Sequence, residues 1–239
     1  LPHVRSADGT EIIPQLDLRF ALDLYAGVRP IRTFAGLPVP LVNPLAAGID
    51  LVLVRENTEG LFYARGRGTM EGNEAAFDTM KISRMGTSRI CDFALRLAQQ
   101  RKAQGRRGHV TNVDPANVFQ SMAFWRRIFE ERALLFPDLT TDNAYVDAMA
   151  LNLVMKPWTY DMLVTENMFG DILSDLIASL VGGMGMAPSG DIGDAHGLFQ
   201  PAHGTAPDIA GQGIARVGLG VMRHHGETVQ GGAAFGGDV

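Results

Sequence analysis

Residues 162–175 read Met162-Leu163-Val164-Thr165-Glu166-Asn167-Met168-Phe169-Gly170-Asp171-Ile172-Leu173-Ser174-Asp175, and the fold class turns on them. The first four are apolar or β-branched and read as a buried strand. The residues after them make an apolar, helix-forming run, so a strand feeds directly into a helix. Asp171 and Asp175 lie four residues apart in that run. On a helix this spacing places both carboxylates on one face, one turn apart, where like charges repel. A solvated helix face is one reading. A divalent cation held by hard oxygen ligands, magnesium or manganese, is the other.

The same alternation extends outward. Tyr145 to Met155 reads as a helix stopped by Pro157, and His109-Val110-Thr111-Asn112-Val113 reads as a strand. Asp114 is placed to cap a helix with Pro115 at its first position, and Phe119, Met122, Ala123 and Phe129 line that helix's apolar face. Leu51-Val52-Leu53-Val54 is a short strand. Ile90, Phe93, Ala94 and Leu97 keep helical spacing, with an end expected in the basic loop 101–107. Strand–helix alternation of this kind predicts an α/β sheet. Gly182 to Met186 reads as a flexible loop. The stretch 218–239 carries seven glycines in 22 residues without periodicity, and is expected to be loose.

The 239 residues are 46% hydrophobic, enough for a sizeable core. A net charge of −5 gives no electrostatic footprint for nucleic acid. Cys91 is the sole cysteine, so no internal disulfide forms, which suits a cytoplasmic protein. No apolar run reaches the length of a membrane span.

Arg19, Arg29 and Arg55 stand out as candidates for binding carboxylates. Arg19 and Arg29 flank a helix-like stretch, and Arg55 follows a buried strand. Three guanidinium forks on one pocket would suit a di- or tricarboxylic acid. Each taken alone reads more simply as a surface arginine. His203-Gly204-Thr205-Ala206-Pro207-Asp208 is a loop of small residues through which backbone amides could approach a ligand. An acidic residue there could accept from ribose hydroxyls, as in NAD selection. A plain turn is the simpler reading. No Gly-x-Gly-x-x-Gly marks a strand–helix junction, so an ordinary Rossmann site is not supported.

Taken together, the segments Val28-Arg29-Pro30, Val54 to Gly60 (VRENTEG), Tyr145 to Met149 (YVDAM), Asn167 to Asp175 (NMFGDILSD) and His203 to Gly211 resemble the isocitrate/isopropylmalate dehydrogenase family, from about residue 8 to about residue 215. The resemblance implies a two-domain α/β fold, incomplete here at both ends. Residues 1–35 and 182–217 would belong to a nucleotide-binding domain and 36–181 to a central substrate and dimerisation domain. It implies a substrate clamp at Arg19, Arg29 and Arg55. It implies a Mg2+ or Mn2+ site at Asp171 and Asp175, with Asp147 reaching in from a second subunit of a homodimer. NAD contacts are implied at Asn117 and across His203, Gly204, Ala206 and Asp208. Asp208 followed by Ile209 looks like the NAD-dependent members. The implied chemistry is hydride transfer from a 2-hydroxy acid to NAD, followed by loss of the β-carboxylate.

Three departures matter. The family's Asp-Lys-Ala-Asn motif is Asp114-Pro115-Ala116-Asn117 here, and proline cannot carry a proton. The family's tyrosine, seven residues after the clamp arginine, is Phe62, with Tyr63 beside it as a candidate substitute acid. After Ala215 the likeness stops, and a frame-shifted or truncated end is the hypothesis; an intact reading frame in the source gene would refute it. For the substrate, Ile12, Ile13 and Leu16 before Arg19 tilt toward a 3-isopropylmalate-like acid, where the isocitrate branch has polar residues. Asn57-Thr58-Glu59-Gly60 looks more like the isocitrate and tartrate branches. The expectations are therefore a dehydrogenase by descent, a non-catalytic dimeric relative that still binds metal and acid, or an inactive fragment.

Overall fold

The computed structural model describes residues 14–36, 39–183, 186–201 and 220–223. Its centre is an eight-stranded mixed sheet built from β1 (Ala26–Arg32), β2 (Asp50–Glu56), β5 (His109–Asp114), β6 (Thr140–Tyr145), β7 (Met162–Thr165), β8 (Pro188–Ile192), β9 (His196–Pro201) and β10 (Gly220–Arg223). The strand order is β10-β9-β8-β1-β2-β7-β5-β6. β2, β7, β5 and β6 run parallel, whereas β1 pairs antiparallel with both β2 and β8. A separate small hairpin pairs β3 (Thr69–Glu71) with β4 (Ala75–Phe77).

Alternation along the central strands builds a core on each face. Val52 and Val54 of β2, with Met162 and Val164 of β7, face α2 (Arg84–Ala103) and α3 (Gln120–Ala133), packing on Ile90, Ala94, Leu95, Trp125 and Phe129. Leu51 and Leu53, with Leu163 of β7 and Val113 of β5, face α4 (Val146–Met155) and α5 (Asn167–Ser179), packing on Met149, Leu153, Leu173 and Ile177. The strands and helices read from the sequence at 51–54, 109–113, 145–155 and 162–175 are all present, and so is the helix around 90–97, which ends just inside the basic loop. Among the described residues no helix is long and apolar enough to cross a membrane.

Three local expectations are corrected. Asp114 caps no helix: α3 starts at Gln120, after a turn closed by Val118 N donating to Pro115 O at 3.0 Å. Arg126, in the second turn of α3, reaches back and claims the Asp114 carboxylate at 2.7 and 3.0 Å, and Asp114 Oδ1 also accepts from Ala116 N. The stretch between Arg19 and Arg29 is not helical. The helix is α1 (Pro14–Ala21), which carries Arg19 itself, and the chain then turns through Asp23, at φ 47°, into β1. Aspartate tolerates that left-handed conformation better than most side chains. Within the tail, Gly220–Arg223 forms an edge strand, because β9 offers unpaired backbone groups that need no side-chain periodicity to be used. The rest of the tail, and Met184 and Gly185 of the glycine loop, lie outside the described residues.

Candidate active site

The carboxyl ends of β2 and β7 open onto a cavity of about 660 Å3, the usual place for a ligand on parallel strands. Arg19 from α1, Arg29 from β1 and Arg55 from β2 all line it, although 172 and 161 residues separate Arg19 and Arg29 from their partners on β8. They are only 4%, 6% and 4% exposed. The three arginines singled out in the sequence therefore converge, and each is buried where a guanidinium needs a counter-charge.

That counter-charge comes partly from Asp191 of β8, which is wholly buried. Arg19 Nη2 donates to Asp191 Oδ2 at 3.0 Å, Arg29 donates through Nη1 and Nη2 to Oδ1 at 3.2 Å, and Asn57 Nδ2 donates to Oδ1 at 3.0 Å. Burial pushes the Asp191 carboxyl up, but the charges of Arg29 and Arg19 and the hydrogen bonds from Asn57 and Arg19 outweigh it. The net effect holds the group below the usual aspartate range. The sequence reading missed Asp191. Its one signal was an acidic residue at strand spacing from Ser189, inside a short run ending in Ile192.

Arg55 is fixed separately. Its Nε and Nη2 donate to Asn167 Oδ1 at 3.0 and 2.7 Å, and its Nη1 pairs with Asp171. Burial lowers its pKa to about 10; the Asp171 charge opposes that and the Arg19 and Arg29 charges add to it, so the group stays cationic at neutral pH. The first turn of α5 lies directly on the Arg55 stem. A Cβ on Gly170 would stand 2.6 Å from Arg55 Cγ, so only glycine fits. The start of α5 is also tied to the loop after β2. Glu166 caps the helix by accepting from Met168 N at 3.1 Å, and accepts from Leu61 N at 3.2 Å. Gly60, at φ 76°, leaves the room: a Cβ there would lie 1.8 Å from Glu166 Oε1. This brace sets Phe62 in the cavity wall, its ring 5.4 Å from the Arg55 guanidinium carbon.

Asp171 and Asp175 both face the cavity from α5. The Asp175 carboxyl is raised, first by burial and then by the neighbouring Asp171 charge. Two carboxylates at that separation and an open space beside them suit a hard cation that takes one or two protein oxygens and fills its remaining positions from water and substrate. Among the described residues no group of three or more His, Cys, Asp or Glu could hold a metal alone. Asp147 is exposed in the first turn of α4, where its Oδ1 accepts from Ala148 N at 2.8 Å, and it does not line the cavity.

Three buried polar atoms around the cavity, Arg19 Nε, Asn57 Oδ1 and Ser189 Oγ, have no hydrogen-bond partner among the described residues. Buried polar atoms are rarely left so, and here all three belong to cavity-lining residues. Other expected residues lie apart. Tyr63 does not line the cavity; its ring sits between the Arg67 guanidinium at 4.0 Å and the Lys81 ammonium at 4.7 Å. Asn117 is exposed in the turn before α3 and does not line the cavity either. His203, Gly204, Ala206 and Asp208 lie outside the described residues, as do Ile12 and Ile13.

Comparison with known proteins places these features in context. A family model described as isocitrate/isopropylmalate dehydrogenase matches residues 4–217. The chain is 45% identical over 199 residues to a 3-isopropylmalate/3-methylmalate dehydrogenase of Methanocaldococcus jannaschii, covering 83% of this chain and 58% of that protein. It is 41% identical over 204 residues to a 3-isopropylmalate dehydrogenase of Aquifex aeolicus, covering 84% and 55%. Among solved structures, an isocitrate dehydrogenase from Methylococcus capsulatus superposes with a TM-score of 0.78 at 38% identity, covering 90% of this chain and 61% of that one. The chain thus spans less than two thirds of the length of each of these relatives.

Proposed function

Because the chain belongs to the isocitrate/isopropylmalate dehydrogenase family, we propose that its cavity is the acid-binding half of a dehydrogenase site for a 2-hydroxy dicarboxylic acid resembling 3-isopropylmalate. One observation carries this reading: the convergence of three buried arginines and two helix-borne aspartates on a single cavity of about 660 Å3. Arg19, Arg29 and Arg55 bind and orient the carboxylates. The unpartnered Arg19 Nε and Ser189 Oγ are ready donors for an acid oxygen. Leu16 and Leu61 give the apolar wall that an alkyl substituent needs.

Asp171 and Asp175 fit Mg2+ or Mn2+, which would polarise the substrate's hydroxyl and carbonyl oxygen. The proposed cofactor is NAD, supported by the Asp208-Ile209 pair in the sequence. The proposed assembly is a homodimer with Asp147 contributed across the interface. It is supported by Leu151, Met155 and Ile172, large apolar residues of α4 and α5 that are each more than 60% exposed.

A second reading has its own support. Phe62 occupies the cavity wall with no hydroxyl, Tyr63 points elsewhere, and Pro115 is buried at the lysine position. A site that binds acid and metal but moves protons poorly would be a non-catalytic relative. The two readings separate on NAD reduction with Mn2+ and 3-isopropylmalate. Turnover above background supports the dehydrogenase. Ligand-dependent stabilisation without turnover supports the non-catalytic relative. The absence of both responses contradicts both readings.

A further inference from the structure

Asp191 is a carboxylate placed where a carboxylate-binding pocket should least tolerate one. It lies behind two of the three clamp arginines, wholly buried, and takes hydrogen bonds from Arg19, Arg29 and Asn57 together. Strand alternation puts it on the same face of β8 as Ser189, whose unpartnered hydroxyl lines the cavity. An anion entering the cavity therefore meets guanidiniums already partly committed to an internal anion. We propose that Asp191 is a positioning residue that sets the charge of this pocket, fixing Arg19 and Arg29 in orientation while restricting the ligand to a dicarboxylate and disfavouring a tricarboxylate. The proposal rests on the acid-binding reading given above.

The charge balance supports it. Arg19 and Arg29 share the single carboxylate of Asp191, and Arg55 pairs with Asp171, so Asp191 takes one unit from the positive charge that the clamp offers an incoming acid. A divalent cation on the aspartate pair adds the same charge whichever acid binds, so Asp191 shifts how many ligand carboxylates the remaining surplus can neutralise. Each further carboxylate on the ligand then meets less counter-charge beside the buried guanidiniums, and leaving a charge unpaired there is costly. Without Asp191 that counter-charge is restored. A pocket that merely needed its arginines held in place could have used a neutral acceptor, so the charge is what distinguishes this arrangement.

The test is calorimetric titration of the wild-type chain and Asp191→Asn with 3-isopropylmalate and with isocitrate, both in the presence of Mn2+, and with inorganic sulfate alone. Wild type should prefer the dicarboxylate. The neutral variant should move the ratio of the two dissociation constants toward isocitrate by about tenfold, the scale of one nearby charge in a partly screened site. A residue with only a structural role would weaken both acids alike and leave that ratio unchanged, and an unchanged ratio overturns the proposal. If wild type binds neither acid, the acid-binding reading fails on its own. Sulfate then decides about Asp191: tighter sulfate binding by the variant supports the charge-setting role, and equal binding overturns it. Asp191→Ser provides a second neutral variant should the first not fold; if neither folds, the carboxylate is a folding requirement and the selectivity claim falls.

Discussion

Replacing Gly170 by alanine sets two well-understood effects against each other. Gly170 sits inside α5, where alanine normally gains about 1 kcal/mol of helix propensity over glycine. Its added methyl, however, would stand 2.6 Å from Arg55 Cγ, 2.8 Å from Arg55 Cβ and 3.1 Å from Arg55 Cδ. Those atoms are the root of the side chain, not its mobile tip, so the stem or the helix must shift. Overpacking of this kind costs about 1–3 kcal/mol. A displaced Arg55 also loosens its bonds to Asn167 and Asp171. Leaving the buried Asn167 Oδ1 unpaired adds about 1–3 kcal/mol. The steric and hydrogen-bond terms outweigh propensity, so Gly170→Ala should destabilise the fold by about 1–5 kcal/mol. Urea denaturation of both proteins measures the difference. Thermal melting with Mn2+ and 3-isopropylmalate reads whether Arg55 still takes part in binding, and the ligand-induced shift should shrink in the variant. A Gly170→Ala protein that is more stable by about 1 kcal/mol, with an undiminished ligand shift, would show that α5 and Arg55 are not packed as described.

Phe62→Tyr combined with Pro115→Lys restores the two proton-carrying side chains that the family has and this chain lacks; NAD reduction should rise by about 10²–10⁴-fold, and no change would mean that those positions do not limit turnover. Because burial and the Asp171 charge raise the Asp175 carboxyl, protons compete with Mn2+ at a higher pH than for an ordinary aspartate. Manganese-dependent stabilisation should therefore fade on acidification before the ordinary aspartate range is reached. A fade confined to the ordinary range or below it would contradict the assigned environment. Trp125→Phe removes a fully buried indole whose Nε1 donates to Asn112 Oδ1 at 2.7 Å, and should cost about 1–3 kcal/mol in urea denaturation while leaving the ligand shift intact. A loss of ligand response there would indicate that α3 couples to the cavity.

Much of the fold was legible because its signals are local. The apolar runs 51–54 and 162–165 are buried on both faces, and such strands announce themselves by composition. The aspartate pair was legible because helical spacing alone fixes its geometry. The start of α3 was not. Asp114 and Pro115 have the chemistry of a helix entry, but the turn they open closes at Val118 and α3 starts only at Gln120, with the Asp114 carboxylate shared among Ala116, Asn112 and the distant Arg126. The arginine clamp was legible as a list of residues but not as a place. Arg19 and Arg29 meet through the pairing of β1 with β8, strands more than 150 residues apart, and no local pattern encodes that pairing. Asp191 escaped notice for the same reason. Its significance depends on which cations a distant strand and helix bring to it, and its own neighbourhood, Ser189-Gly190-Asp191-Ile192, reads as an unremarkable turn or short strand.

The central claim is that this chain assembles a working acid and metal site. Thermal melting with and without Mn2+ plus 3-isopropylmalate tests it most directly. A ligand at about 100 times its dissociation constant stabilises a fold by about 2.7 kcal/mol, which is readily seen as a shift in Tm. The account predicts a single cooperative melt that moves upward only when both ligands are present at saturating levels, and that loses the shift in Arg55→Gln. A cooperative melt that neither ligand moves, or no cooperative melt at all, would contradict it.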